Sequence, residues 1–240
     1  MGPEPLGMGW GFELIDVEKR YGASVALRGC DLGAPLGSVT ALLGSAGSGK
    51  TTAFRILAGL ERPDTGAALV AGKDIGRARG GALQRIQRRM AVVFGESAGE
   101  GHALFGTVSV RENVEFPMRT AGRVPRRRLA AVAREELERF GLADLADALP
   151  AELSASQRKA LALARAVALR APLVLVDDLE CGIAPGHLAR FCDLVREECH
   201  SRGTTWLLTT AEPAVAERTG DMVATLAAAH VSSSSAVMRM

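Results

Sequence analysis

Gly44, Ser45, Ala46, Gly47, Ser48, Gly49, Lys50, Thr51 and Thr52 follow one another without a break, three glycines leading into a lysine and paired threonines. Glycine carries no Cβ, so such a run can turn sharply and bring backbone N–H groups against phosphate oxygens. The Lys50 ammonium can then reach terminal phosphates, and the Thr51 hydroxyl is placed to ligate Mg²⁺. With an apolar stretch before it and a helical pattern after it, the GxxxxGKT spacing reads as a nucleotide phosphate cradle rather than a Gly/Ser surface loop. A second cluster is Asp177 and Asp178, which directly follow the apolar run Leu173-Val174-Leu175-Val176. Open α/β sheets gather ligands at such strand ends, and two adjacent carboxylates there need a cation or a proton to coexist.

The elements that must position these groups are legible in the pattern. Val39 to Leu43 reads as a buried strand feeding the loop. Ala53, Ile56, Leu57 and Leu60 share one face of the helix that follows, whose positive end points at the same anion. Upstream, Phe12 to Val17 alternates like an exposed edge strand, and Val25 to Leu27 resumes after a turn at Tyr21-Gly22. Tyr21 is the only tyrosine. It has two readings, a ring that stacks on a nucleotide base and a ring packed under the turn. Arg62 to Gly66 forms a turn, Ala68 to Val70 a short strand, and the arginines between 77 and 89 a solvated helical face. Met90 to Phe94 is strand-like, and Gly95 to Gly101 is a loop that fits either a partner-sensing element or a tolerated insertion. Val108 to about Gly141 is helical, with Arg126, Arg127 and Arg128 opening its second part. A further helix starts at Leu153-Ser154-Ala155-Ser156-Gln157, with Ser154 or Ser156 as N-cap, and runs to Arg170 before Pro172. Trp206 to Thr210 is the last core strand, followed by a helix and by Met222 to Leu226.

Composition bounds the function. The chain has 240 residues, 48% of them hydrophobic, enough for one large core or two small ones sharing an interface. A net charge of +2 argues against nucleic acid as the main ligand. The four cysteines lack CxxC spacing and read as small buried hydrophobes in a reducing compartment. The Gly/Pro-rich start does not read as a secretory signal, and Ser232 to Ser235 reads as a short tail. The most apolar stretch, Leu161 to Val176, is interrupted by Arg165, Arg170 and Pro172, so a membrane role needs a partner.

A phosphate loop, a Leu-Ser-x-x-Gln helix start and an apolar strand ending in acids 23 residues beyond Ser154 together resemble the ATP-binding subunit of an ABC transporter, from about Phe12 to Leu226. Within that family, Ala103-Leu104-Phe105, Glu112 to Arg119, Leu149 to Ser154 and the Gly182 to Pro185 turn look most like the ATPases of Mce/Mla lipid-transport systems. The resemblance implies an α/β P-loop NTPase fold: a RecA-like core with a mixed, largely parallel sheet, a helical subdomain, and N-terminal antiparallel strands. It implies one nucleotide-binding domain over 12–229, with the core at 12–95 and 172–229, the helical subdomain at about 96–171, and flexible ends at 1–11 and 230–240. ATP and Mg²⁺ are the implied cofactors. A second ATP-binding subunit, in a homo- or heterodimer, and an integral membrane permease are the implied partners, on the cytoplasmic face of the membrane.

Carried over residue by residue, the resemblance gives Tyr21 the adenine-stacking role and residues 44–52 the phosphates. Ser154 and Gln157 receive the partner subunit's nucleotide, Thr51 and Asp177 the metal, and Asp178 the general base, normally glutamate. There are departures. The family's loop glutamine after Phe94 is Gly95, with Glu96 as a possible substitute; the signature glycines are Ala155 and Ser156; the turn aspartate is Ala184; the switch histidine is Thr210. An aspartate in place of glutamate shortens the base by about 1.5 Å; with the switch histidine also replaced, weak or absent intrinsic hydrolysis is expected, while nucleotide binding, which needs chiefly residues 44–52, Asp177 and Tyr21, is expected to be kept. Two alternatives stand beside a lipid-transport subunit: a non-catalytic ATP-gated dimerisation clamp or regulator, and a fully active transporter ATPase with compensated motifs.

Overall fold

The computed structural model describes residues 9–95, 104–227 and, as backbone, 230–236. Strand β1 (Trp10–Tyr21) leads into β2 (Ser24–Pro35) and β3 (Val39–Leu43), then the loop of interest and helix α1 (Lys50–Leu57). Next come β4 (Thr65–Val70), β5 (Lys73–Asp74), α2 (Gly80–Gln87) and β6 (Met90–Val93). Three helices follow, α3 (Val110–Ala121), α4 (Leu129–Arg139) and α5 (Ala155–Ala168), in the stretch expected to be a helical subdomain. The chain then passes through β7 (Leu173–Val176), α6 (Pro185–Arg202), β8 (Thr205–Thr210), α7 (Pro213–Thr219), β9 (Met222–Ala227) and β10 (His230–Ala236).

Two sheets result. One has the order β2-β1-β4-β5 and is antiparallel; the other has the order β10-β9-β3-β8-β7-β6 and is parallel from β9 to β6. Strands β7 and β8 are buried at every residue, as both-face coverage of a parallel sheet requires. Alternation along them divides the core. Leu42, Leu173, Leu175 and Leu207 face α1 and the antiparallel sheet, packing with Phe12, Phe54 and Ile56. Val174, Val176, Trp206 and Leu208 face the other way, toward residues of α3 to α7. The C-terminal ends of β3, β7 and β8 lie side by side, because Leu43 registers with Thr210 and Val176 with Leu208.

Several expectations need correction. β1 is not an edge strand: it pairs with β2 on one side and β4 on the other, and the edge goes to β2 and β5. Its pairing starts at Trp10, two residues before the expected boundary. Leu60 lies beyond the end of α1 and is half exposed, whereas Phe54 is fully buried in its place. The backbone at 230–236 forms a strand antiparallel to β9, where a flexible end was expected. Glu96 and most of the 95–101 loop lie outside the described residues. Among the described residues, no helix is long and apolar enough to cross a membrane.

One buried ionic cluster ties the helical region to the sheet-covering helices. The Glu136 carboxylate on α4 is fully buried and accepts from Arg139 at 2.9 Å and from Arg202 on α6 at 3.0 Å. Arg139 also pairs with Glu198 of α6. Removing Glu136 takes away two charge-assisted hydrogen bonds while Arg139 and Arg202 keep Glu198, at a cost of roughly 1.5–3 kcal/mol for each bond lost. Glu136→Ala is therefore expected to lose about that much stability, measured by urea unfolding, with Glu138→Ala on the exposed side of α4 as a near-neutral control.

Candidate nucleotide-binding site

The loop after β3 is shaped by where its side chains are absent. Gly49 is the N-cap of α1 with φ 107°, and no side chain caps the helix. A Cβ at Gly49 would run into the Ala26 carbonyl, so both the left-handed backbone and the close approach demand glycine. The first turn of α1 thus keeps its N–H groups free of side-chain acceptors, and they add to the positive end of the helix. Ser45, Ala46 and Gly47 form the exposed rim of the loop. Ser48 is buried, and its Oγ has no partner among the described residues. The Lys50 ammonium folds back over the loop and donates to the Gly44 carbonyl at 2.7 Å and the Ser45 carbonyl at 3.1 Å. A buried lysine, an orphaned hydroxyl and an uncapped helix start form a donor-rich cradle that fits a polyphosphate.

The acid pair lies beside it. Asp177 is almost fully buried, and its Oδ1 accepts from Thr209 Oγ1 at 2.7 Å, with Thr51 Oγ1 at 3.5 Å. Octahedral Mg²⁺ with bonds of ~2.1 Å holds neighbouring oxygens ~3 Å apart. The Thr51 hydroxyl and the Asp177 carboxylate are therefore close to the separation that a shared Mg²⁺ sets, and their all-oxygen chemistry suits that ion. Asp178 is half buried and sits at φ 45°, a conformation costing a non-glycine residue roughly 1–3 kcal/mol. Burial, with the Asp177 charge adding to it, holds its carboxyl above the usual aspartate range.

Two residues that sequence reasoning missed hold this pair from opposite sides. Thr209 Oγ1 accepts from the Asp178 amide at 2.8 Å while donating to Asp177. Lys159 of α5 is completely buried, and its Nζ donates to the Asp177 carbonyl at 3.1 Å and the Asp178 carbonyl at 2.9 Å. Burial pushes this ammonium down to about 8, opposed by Cys181, Asp178, Asp177 and Glu180. A signal existed for each. Lys159 falls on the apolar face it shares with Ala162, Leu163 and Ala166, and Thr209 alternates with Leu207 toward the α1 side of the sheet.

The remaining expected residues fall in four places. Tyr21 ends β1 with its ring about half exposed; its hydroxyl donates to Glu61 and lies near Thr52, and the Lys19 ammonium is 5.5 Å from the ring centroid. Burial and Glu61 together push its phenol up. The ring is not packed under the turn, so the base-stacking reading keeps an open face. Ser154 is the N-cap of α5 in a reciprocal box with Gln157, the Gln157 amide donating to Ser154 Oγ at 3.3 Å and the Ser154 amide to Gln157 Oε1 at 2.8 Å. Among the described residues no hydrogen bond joins either to residues 44–52. At the position of the switch histidine, Thr210 is buried and its Oγ1 accepts from the Glu212 amide at 3.0 Å. Gly95 lies against the second acid: a Cβ there would stand 3.3 Å from Asp178 Cβ and Oδ2, tighter than side chains ordinarily pack. Three of the four cysteines are buried and all are free, as expected of small hydrophobes.

The model of the ABC transporter family matches residues 27–179, a span that includes the loop, the Ser154 helix start and both acids. The chain belongs to the ABC transporter family. The methionine import ATP-binding protein MetN of Mesorhizobium japonicum is 34% identical over 218 residues, covering 91% of this chain and 58% of that protein. Its counterpart in Rhizobium johnstonii is 35% identical over 218 residues, covering 91% and 59%. This ABC chain thus spans less than two thirds of the curated relatives it matches. The dimeric structure of MJ0796, a bacterial ABC transporter cassette, superposes with a TM-score of 0.85 at 24% identity, covering 95% of this chain and 100% of that one. The fold is that of an ABC ATPase: a P-loop core with antiparallel and parallel sheets and added helices. The lipid-transport branch to which the sequence resemblance pointed finds no support in these relatives, which carry the name of methionine importers.

Thr209→Val keeps the shape of the side chain but strands the Asp178 amide and leaves Asp177 Oδ1 with only the long contact to Thr51 Oγ1, at about 1–3 kcal/mol for an unsatisfied group. Urea unfolding of this variant should show that loss, and Thr209→Ser should stay near the parent.

Proposed function

We propose that this chain is an ATP-binding subunit that couples ATP·Mg²⁺ to an integral membrane permease, working as a dimer with a second ATP-binding subunit on the cytoplasmic face of the membrane. The observation that carries the reading is the glycine-capped, cation-bearing start of α1 with Thr51 Oγ1 3.5 Å from Asp177 Oδ1. Residues 44–52 take the phosphates, Tyr21 offers its ring to adenine, and Thr51 with Asp177 holds the metal. Ser154 and Gln157 face the nucleotide of the second subunit. Bound Mg²⁺ neutralises phosphate charge and polarises the terminal phosphoryl group. The names of the relatives favour import of a methionine-like amino acid over a lipid cargo.

Hydrolysis is slow on this reading. Asp178 is the shorter carboxylate in the general-base place, Gly95 supplies no side chain to the γ-phosphate, and Thr210 spends its hydroxyl on the Glu212 amide. A positioned base is worth roughly 10²–10⁴-fold. The double variant Asp178→Glu, Thr210→His is therefore expected to raise ATP turnover by at least about tenfold over the parent. Brisk turnover by the unmodified protein, unchanged in the double variant, contradicts slow hydrolysis and returns the fully active reading.

The pH dependence has a fixed sign. A base acts only when ionised, and burial together with the Asp177 charge disfavours ionised Asp178. In the protein free of nucleotide and metal, the Asp178 carboxyl should therefore titrate above the ordinary aspartate range when followed by carboxyl-carbon NMR; titration at or below that range contradicts the burial and charge argument.

A further inference from the structure

Two carboxylates at the tip of β7 need nearby cations, and of the two buried ammonium groups beside them, Lys50 and Lys159, the second arrives from an unexpected direction. Lys159 does not come from the phosphate loop or from the strands that flank β7. It comes from α5, five residues beyond Ser154, the cap whose reciprocal box with Gln157 opens that helix. Its Nζ reaches the main chain of the acids and not their carboxylates, donating to the carbonyls of both Asp177 and Asp178. The Asp178 carbonyl accepts a second donor, the Cys181 amide at 3.1 Å, and Thr209 holds the Asp178 amide from the opposite side. The strained peptide that aims Asp178 is thus fixed at both ends, one end by the sheet and the other by α5.

We infer that Lys159 is a positioning residue that sets the direction of the Asp178 carboxylate from α5, and so ties the helix start that faces one nucleotide to the acid pair that serves the other. The inference rests on the dimeric ATP-binding reading above. On that reading α5 presents Ser154 and Gln157 to the second subunit's nucleotide, while one turn further along it grips the acids of its own site. Seating a nucleotide against the start of α5 then presses on the peptide that carries Asp178. Met is the natural probe, since it keeps the unbranched apolar stem of lysine, one atom shorter, but leaves the two carbonyls without the ammonium donor. Nucleotide grip through residues 44–52 does not pass through this contact, whereas the aim of the base does.

The experiment is single-turnover hydrolysis of ATP·Mg²⁺ by the full chain, with the rate constant separated from the half-saturating nucleotide concentration, for the parent, Lys159→Met and Lys159→Arg. For Lys159→Met the expectation is a rate constant lowered at least about tenfold with half-saturation changed less than about twofold. Lys159→Arg, which restores N–H donors to the carbonyls, should recover most of the rate. Should Lys159→Met not fold, Lys159→Gln takes its place; as a shorter donor it is expected to fall between Met and parent. A rate constant within about twofold of the parent in the substituted protein overturns the inference, as does a loss in which rate and half-saturation shift together and arginine restores neither. A parent that neither binds nor cleaves ATP·Mg²⁺ instead refutes the underlying nucleotide reading.

Discussion

A helix that starts without a side-chain cap is the constraint on which this structure depends. Gly49 places α1 with its first N–H groups unsatisfied, carrying about half a positive charge at that end. No side chain caps it, because the N-cap position itself is glycine. The parallel sheet brings the ends of β3, β7 and β8 to the same side, so the uncapped helix faces Asp177 across Thr51. An anion with a divalent cation completes both halves at once, since phosphate oxygens accept from the loop and the metal answers the carboxylate.

The electrostatics of the strand tips follow from that geometry. Asp177, Asp178 and Glu180 lie within four positions, and two buried ammonium groups flank them. Lys50 rests on its own loop carbonyls, a short distance along the chain from where a phosphate would sit. Lys159 rests on the carbonyls of the acids themselves. Among the described residues neither lysine forms an ion pair with a carboxylate, and the Asp178 carboxyl stays high because burial and Asp177 outweigh both cations. A site arranged in this way favours an added cation over a proton on the acids once nucleotide is present.

Much of this was legible in the residues and part was not, for physical reasons. The phosphate loop is a local object: its spacing, the strand before it and the helix after it all lie within twenty residues, and the strand and helix stand where the pattern places them, Leu60 apart. β7 and its acids were equally plain, because a fully apolar run of four residues has few other uses. The central place of β1 was hidden, since alternation reports that one face is buried but says nothing about how many neighbours a strand has. Thr209 and Lys159 were hidden for a related reason. Their partners lie 31 or more and 18 or more positions away, and only the packing of β8 and α5 against β7 brings them together. Leu60 continued the apolar spacing of α1, but the helix had already ended and Phe54 filled the core.

The account stands or falls on whether the start of α1 and its lysine grip a triphosphate. Isothermal calorimetry of ATP·Mg²⁺ with the parent and with Lys50→Ala measures this directly. A charged hydrogen-bond donor lost from a buried site is worth roughly 1.5–3 kcal/mol, so the variant should bind about ten- to a hundredfold more weakly. Equal affinity in the two proteins would contradict the account, because the nucleotide would then be held somewhere other than this cradle.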